Sequence, residues 1–183
     1  MINVKDTELK DLKIITPQVF NDDRGYFLES WNHKTYSDVL IHDTFVQDNE
    51  SLSVQGTLRG MHIQTTNPQG KLVRVIKGNV YDAVVDCRKN SPTFGQSFGL
   101  ELSEKNKKQI WIPEGFAHGF LVLSEIAIFS YKCTRFYNPS SERTILWNDK
   151  DIDIKWPLDK INKIKLSQKD KSGLIFSDFK KLI

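Results

Sequence analysis

Two of the four histidines in this chain stand in patterned surroundings that could carry proton transfer. His62 falls in "GTLRGMHIQ" (residues 56–64), three residues after Arg59, and His118 closes "PEGFAH" (113–118), whereas His33 and His42 have no such setting. An imidazole with an ordinary pKa near ~6.5 is a capable general base at neutral pH, provided something orients it and something stabilises the charge its substrate acquires. Arg59, Lys71 and Arg74 bring cations near His62 in sequence, and Tyr131, on a strand face otherwise apolar, offers a phenol that can donate a proton. Taken singly, each has a structural reading, because strand histidines are commonly hydrogen-bonded scaffold and Arg and Lys are commonly solvated. The combination points to acid–base chemistry on an anionic substrate.

These side chains need a frame, and the frame reads as β. Short runs rich in β-branched residues are separated by Gly, Asn, Asp and Pro, with no internal repeat and no low-complexity linker. "KLVRVIKGNVYDAVVDCR" suggests two strands, 72–76 and 80–87, joined as a hairpin through "KGN". "IAIFSYKCTRFY" alternates Phe129, Tyr131 and Cys133 on one face with Ile128, Ser130 and Lys132 on the other. Helical signal is thin: a short candidate around "NHKTYSDVL" (32–40) and the C-terminal tail. So many strands in one chain of 183 residues predict a single domain, 1–183, built as a sandwich or barrel that leaves few exposed edges.

Bulk properties exclude other classes. Lys and Arg number 26 against 23 Asp and Glu, a formal +3 too mild and too evenly spread for a nucleic-acid binder. "MINVKDTELKDLK" has no signal-peptide core, and no run of ~18 apolar residues suggests a membrane span, so the expected location is the cytoplasm. Cys87 and Cys133 form no CxxC pattern and read as reduced, buried thiols.

Gly56 precedes His62 with five residues between them, Gln64 follows two on, and "PEGFAH" spaces Pro113, Gly115 and His118. This resembles the two motifs of the cupin superfamily, which implies a jelly-roll β-barrel (a double-stranded β-helix) with a few short helices and its site inside. Metal-binding cupins present His-x-His and a carboxylate from the first motif and a further His from the second, a set suited to Fe, Mn or Ni. Here those places hold Gln64 and, at best, Gln69. A neutral amide replaces imidazole or carboxylate poorly, so no metal and no cofactor are expected, and His62 is free for acid–base work.

A closer resemblance runs the length of the chain. It is carried by "DDRGYFLE" (22–29), "QDNES" (47–51), "GTLRGMHIQ", "QGKLVRVIKGNVYDAVVDCR" (69–88), "SPTFG" (91–95), "WIPEGFAHGF" (111–120), "YKCTRFYNPSSE" (131–142), "WNDKDIDIKWP" (147–157) and "LSQKD" (166–170). In this order they are similar to the dTDP-4-dehydrorhamnose 3,5-epimerase family. The resemblance implies a nucleotide-linked 4-keto-6-deoxyhexose inverted at C3 and C5 without cofactor or metal. By that similarity His62 removes the proton, Asp170 hydrogen-bonds its imidazole, Tyr131 returns a proton from the opposite face, and Lys71 stands beside the C4 oxygen. Arg24 and Arg59 match diphosphate contacts; Glu29, Gln47, Asn49, His118, Glu142 and Lys169 match the nucleotide-sugar pocket; Tyr137 matches a ring stacked on the base. The strands bearing Arg24, Phe27 and Glu29 are implied to cross to a second subunit, giving a homodimer with shared sites, and the C-terminal segment to pack on the barrel.

Alternatives are a single-centre epimerase or ketoisomerase on another nucleotide sugar, a metal-dependent cupin oxygenase, and a catalytically silent sugar-nucleotide binder. One local conflict stands out: strict strand alternation places Arg59 on the face opposite His62 and Gln64. Gly60 between them is the natural place for a bulge that would turn both inward.

Overall fold

The computed structural model describes residues 2–37 and 44–183. Its elements run β1 (Asn3–Asp6), β2 (Lys13–Thr16), β3 (Val19–Asp22), β4 (Gly25–Leu28), α1 (His33–Ser37), β5 (Gln47–Val54), β6 (Leu58–Gln64), β7 (Lys71–Lys77), β8 (Asn79–Asp86), β9 (Ser97–Ser103), β10 (Gln109–Ile112), β11 (Phe116–Val122), β12 (Ile126–Cys133), β13 (Glu142–Thr144), α2 (Gln168–Lys171) and α3 (Phe176–Phe179). His42 and residues 38–40 of the helix expected over 32–40 lie outside the described residues. No described helix is long and apolar enough to cross a membrane.

Two antiparallel sheets face each other as a cupin-type jelly roll. One is six-stranded in the order β1-β2-β10-β7-β12-β5, the other five-stranded in the order β13-β6-β11-β8-β9, and β3-β4 forms a separate hairpin. Between the sheets lies a core of Val73, Val75, Val80, Val84, Ile110, Ile112, Phe116, Phe120 and Phe129. The five-stranded sheet is buried on its other face too. There Leu58, Met61 and Ile63 of β6 and Ala83 and Val85 of β8 pack under Ile152, Trp156, Phe176 and Phe179 from the C-terminal third. A strand buried on both faces loses its exposed-buried alternation, which is why every residue of β11 is buried, His118 included.

The hairpin expected from "KGN" does not form. β7 pairs with β10 and β12, β8 pairs with β11 and β9, and the chain turns between the two sheets at Gly78. Gly78 has φ +82°, and a Cβ there would fall 2.1 Å from the Ile126 carbonyl oxygen, so the corner excludes any side chain. Both strands instead turn apolar residues into one interior, Val73 and Val75 from one side and Val80 and Val84 from the other.

Candidate active site

A cavity of about 240 Å³ opens between the sheets at one end of the barrel, lined by Arg59, His62, Lys71, His118, Phe129 and Tyr131, with Asn49 and Ser51 of β5 beside them. The strand carrying Arg59 and His62 departs from simple alternation. His62 lies opposite His118, but Arg59 lies opposite Phe120, so three steps on β6 match two on β11. That is a bulge, and Gly60 occupies it with φ +125°. A Cβ at Gly60 would meet the Gly119 Cα at 2.6 Å and the His118 carbonyl oxygen at 2.8 Å. The extra residue keeps Leu58 and Met61 together in the outer core and turns Arg59 and His62 together into the cavity.

Asp170 comes to His62 from α2, 108 residues away, with Oδ1 2.6 Å from Nε2. An ionised carboxylate only accepts, so Nε2 carries the hydrogen and Nδ1 is the nitrogen free for a substrate proton. The same Oδ1 accepts from the Gly60 backbone N–H at 3.2 Å, and Oδ2 accepts from Ser167 Oγ at 2.6 Å. Ser167 also caps α2, its Oγ accepting from the Asp170 N–H at 3.1 Å, so helix start and carboxylate position are set by one hydroxyl. Burial pushes the Asp170 carboxyl up, but the bonds from His62, Ser167 and Gly60 outweigh it and hold the group below the usual carboxylate range. The strap bearing α2 is clamped at both ends: Leu58 N–H bonds the Lys165 carbonyl at 3.0 Å, and Leu174 N–H bonds the Thr144 carbonyl at 2.8 Å.

Across the cavity, β12 presents Tyr131, whose phenol burial drives to a higher pKa, so it stays protonated. Lys71 Nζ lies 5.9 Å from that ring's centroid. Burial lowers the pKa of the Lys71 ammonium, with Cys133, Glu142 and Asp82 pulling it back up and Lys169 pushing down. Arg59 is braced by Ser53, whose Oγ accepts from Nε at 3.3 Å and Nη2 at 3.2 Å. At the rim, Glu142 Oε2 accepts from the Tyr137 hydroxyl at 2.7 Å and pairs with Lys169. The Tyr137 N–H bonds Gln47 Oε1 at 2.9 Å, Gln47 bonds Asn49 at 3.0 Å, and Asn49 reaches the Cys133 sulfur at 3.6 Å.

A family model described as dTDP-4-dehydrorhamnose 3,5-epimerase matches residues 6–178. The chain belongs to this family. It is 54% identical over 172 residues to the dTDP-4-dehydrorhamnose 3,5-epimerase of Salmonella typhimurium, covering 93% of this chain and 92% of that one. Against the Pseudomonas aeruginosa protein of the same name it is 51% identical over 171 residues, 93% of each chain. The fold matches the crystal structure of dTDP-6-deoxy-D-glucose-3,5-epimerase from Legionella pneumophila in complex with dTDP-4-keto-L-rhamnose, with TM-score 0.93, 48% identity and coverage of 97% and 94%. The chain is therefore an isomerase, an epimerase of nucleotide-sugar type.

One residue, Arg74, stands elsewhere in this epimerase chain than its nearness in sequence to Lys71 suggests. Arg74 is not a neighbour of His62: it lies three residues from Lys71 on β7, hence on the outer face, lining a groove with Leu72 and Ile76. Arg24, Phe27 and Glu29 are not in the cavity of their own chain. The Arg24 side chain is 90% exposed on the β3–β4 hairpin and paired with Asp22 at 2.6 Å, while Glu29 accepts from Asn32 at 2.9 Å. Gln64 and Gln69 tie loops, Gln64 bonding the Asn67 carbonyl and the Asn138 N–H, and Gln69 the Arg135 carbonyl. Among the described residues no three His, Cys, Asp or Glu side chains gather as a metal-ligand set.

One group the sequence reading passed over lies beneath the cavity floor. Asp82 of β8 is fully buried, and its Oδ2 stands 2.9 Å from His118 Nε2. Its Oδ1 is buried with no hydrogen-bond partner. Burial pushes the Asp82 carboxyl up, against the opposing pull of His118 and Lys71. The signal was present in "NVYDAVVDCR", where an aspartate interrupts an apolar strand row.

Proposed function

We propose that this chain inverts C3 and C5 of dTDP-4-dehydro-6-deoxy-D-glucose to give dTDP-4-dehydro-L-rhamnose, in the biosynthesis of dTDP-rhamnose for surface polysaccharide. The observation that carries the mechanism is the 2.6 Å contact between His62 and Asp170 in one cavity with Tyr131 and Lys71. A C4 ketone acidifies the hydrogens on C3 and C5, because either carbanion is an enolate with its charge on the C4 oxygen. His62 Nδ1 removes the proton, and Asp170 stabilises the imidazolium so formed. Lys71 faces the enolate oxygen from a site shielded from water, where a fixed positive charge acts far more strongly than in bulk solvent. Tyr131 delivers a proton from the facing sheet, so the new C–H forms on the opposite side of the ring. Solvent then resets both groups. The ketone itself supplies the acidity, so the scheme calls on no cofactor and no metal.

Arg59 suits a diphosphate, its fork braced by Ser53. Tyr137, half exposed at the rim, offers a face to the base, with Gln47, Asn49, Glu142 and Lys169 around it. The working unit is read as a homodimer. The β3–β4 hairpin exposes Phe20, Tyr26 and Phe27, the edge strand β5 exposes Leu52 and Val54, and a second copy would cover them while Arg24, Phe27 and Glu29 complete its site. Residues 1–183 act as one domain, since the C-terminal third covers a sheet face and carries Asp170. A cytoplasmic enzyme fits the nucleotide-sugar substrate and the two free, buried thiols.

The test is to incubate the protein with dTDP-4-keto-6-deoxyglucose in deuterated water and follow C3 and C5 by proton NMR. Deuterium entering both carbons, with formation of the L-rhamno ketone, is the expected result. Exchange at one carbon alone would make it a single-centre epimerase, and none would remove the epimerase reading.

A further inference from the structure

The site holds a second His–Asp pair that the reaction scheme does not use. His118 lines the cavity, its ring stacked 6.0 Å from Phe129, with Nε2 turned away from the cavity towards Asp82. Asp82 occupies an interior row of β8 between Val80 and Val84, both wholly buried in the apolar core. A fully buried carboxylate in such a row is costly unless it does something for a partner. Only one of its oxygens is bonded, and that bond goes to His118.

Resting on the epimerase reading above, we propose that Asp82 is a positioning residue that sets sugar specificity: it holds His118 as the Nε2–H tautomer, so that Nδ1 faces the sugar as a hydrogen-bond acceptor for a ring hydroxyl. An acceptor at the cavity wall reads a hydroxyl as donor, and a sugar lacking that hydroxyl leaves the nitrogen unsatisfied. The 4-keto-6-deoxyhexose carries hydroxyls at C2 and C3, so one of these two is the group recognised. Phe129, stacked on the imidazole and itself backed by Phe120 at 4.0 Å, packs against one face of the ring and restricts its turning. The arrangement divides labour in the cavity: the His62 Nδ1 meets a C–H bond, and the His118 Nδ1 meets an O–H.

The experiment compares kcat/KM for the parent substrate and its 2-deoxy and 3-deoxy analogues, using wild type, Asp82→Leu and Asp82→Asn, with dTDP affinity as a check on folding. Leu suits the apolar row but removes the acceptor; Asn keeps an acceptor oxygen. Asp82→Leu should lose at least about tenfold on the parent sugar and little on the analogue missing the recognised hydroxyl, a coupling between protein and substrate groups that general damage does not produce. Asp82→Asn should recover part of the loss, and dTDP affinity should stay within about threefold. Equal loss on all three sugars, or no loss, would overturn the proposal. A direct reading by nitrogen NMR of the wild-type imidazoles needs no variant: His118 protonated at Nδ1 and bare at Nε2 would also overturn it. Absence of any C3 or C5 exchange by wild type is a different result, which removes the epimerase reading itself.

Discussion

The two His–Asp pairs of this barrel are chemically alike and physically opposite. The His62 side chain is 27% exposed, and its carboxylate partner receives hydrogen bonds from an imidazole, a backbone N–H and a serine hydroxyl. The His118 side chain is 7% exposed, and its partner, wholly buried, keeps one oxygen unpaired. The first carboxyl is held below its ordinary pKa and the second is pushed above it. A carboxylate with several donors is a stable negative charge that can support an imidazolium; one with a single donor, deep in an apolar core, depends on that donor to stay charged. The same residue pair thus suits proton transfer where the carboxylate has donors enough to support an imidazolium, and suits orientation where its one bond goes to the imidazole.

The largest test of that contrast is removal of His62. His62→Ala should abolish exchange at both C3 and C5, a loss of about 10²–10⁴-fold or more if it is the general base. NMR in deuterated water reads both centres at once, and retained exchange at either would move the base assignment away from the first pair.

Ser167 gives a smaller and more selective test. Its hydroxyl bonds both the Asp170 N–H and Oδ2, so Ser167→Ala should slow exchange about tenfold through kcat while leaving KM near wild type, in line with a support that acts through another residue. A change confined to KM would instead place Ser167 in substrate binding.

Stability should separate the pairs with opposite signs. The Asp170 pKa is lowered in the folded state, so the stability it contributes is present above the unfolded value near ~3.9 and is lost as pH falls through the folded pKa. Asp82 is raised, so the folded state disfavours its charge, and stability recovers as pH falls through the folded pKa towards the unfolded one. At pH 7 Asp170→Asn should therefore lower Tm and Asp82→Asn should leave it unchanged or raise it, each by a few degrees, roughly what ~1 kcal/mol does in a chain this size. Thermal unfolding at pH 7 and pH 4 checks both signs, and a drop in Tm for Asp82→Asn at pH 7 would show its charge to be stabilising.

What could be read locally was read from the sequence. Alternation in "IAIFSYKCTRFY" puts Phe129, Tyr131 and Cys133 on one face, and β12 carries them so. Gly60 between Arg59 and His62 marked the bulge, because only glycine tolerates a backbone carbonyl oxygen 2.8 Å from the Cβ position. Lys71 and Arg74, three apart on a regular strand, belong on opposite faces by the same period of two, and sequence proximity alone misplaced Arg74.

Pairing across the chain was decided elsewhere. "KGN" has the composition of a tight turn, yet β7 and β8 part there into different sheets, because each finds its neighbours in strands that come later in the chain. Asp170 looked locally like part of a polar turn, and only the clamped strap brings it to His62. Asp82 meets His118 because β8 and β11 run antiparallel with Val84 opposite His118. Side-chain direction follows from neighbouring backbone geometry, so a sequence determines it over a few residues. Which strands lie side by side, and so which carboxylate each histidine meets, depends on how the whole chain buries its apolar faces at once.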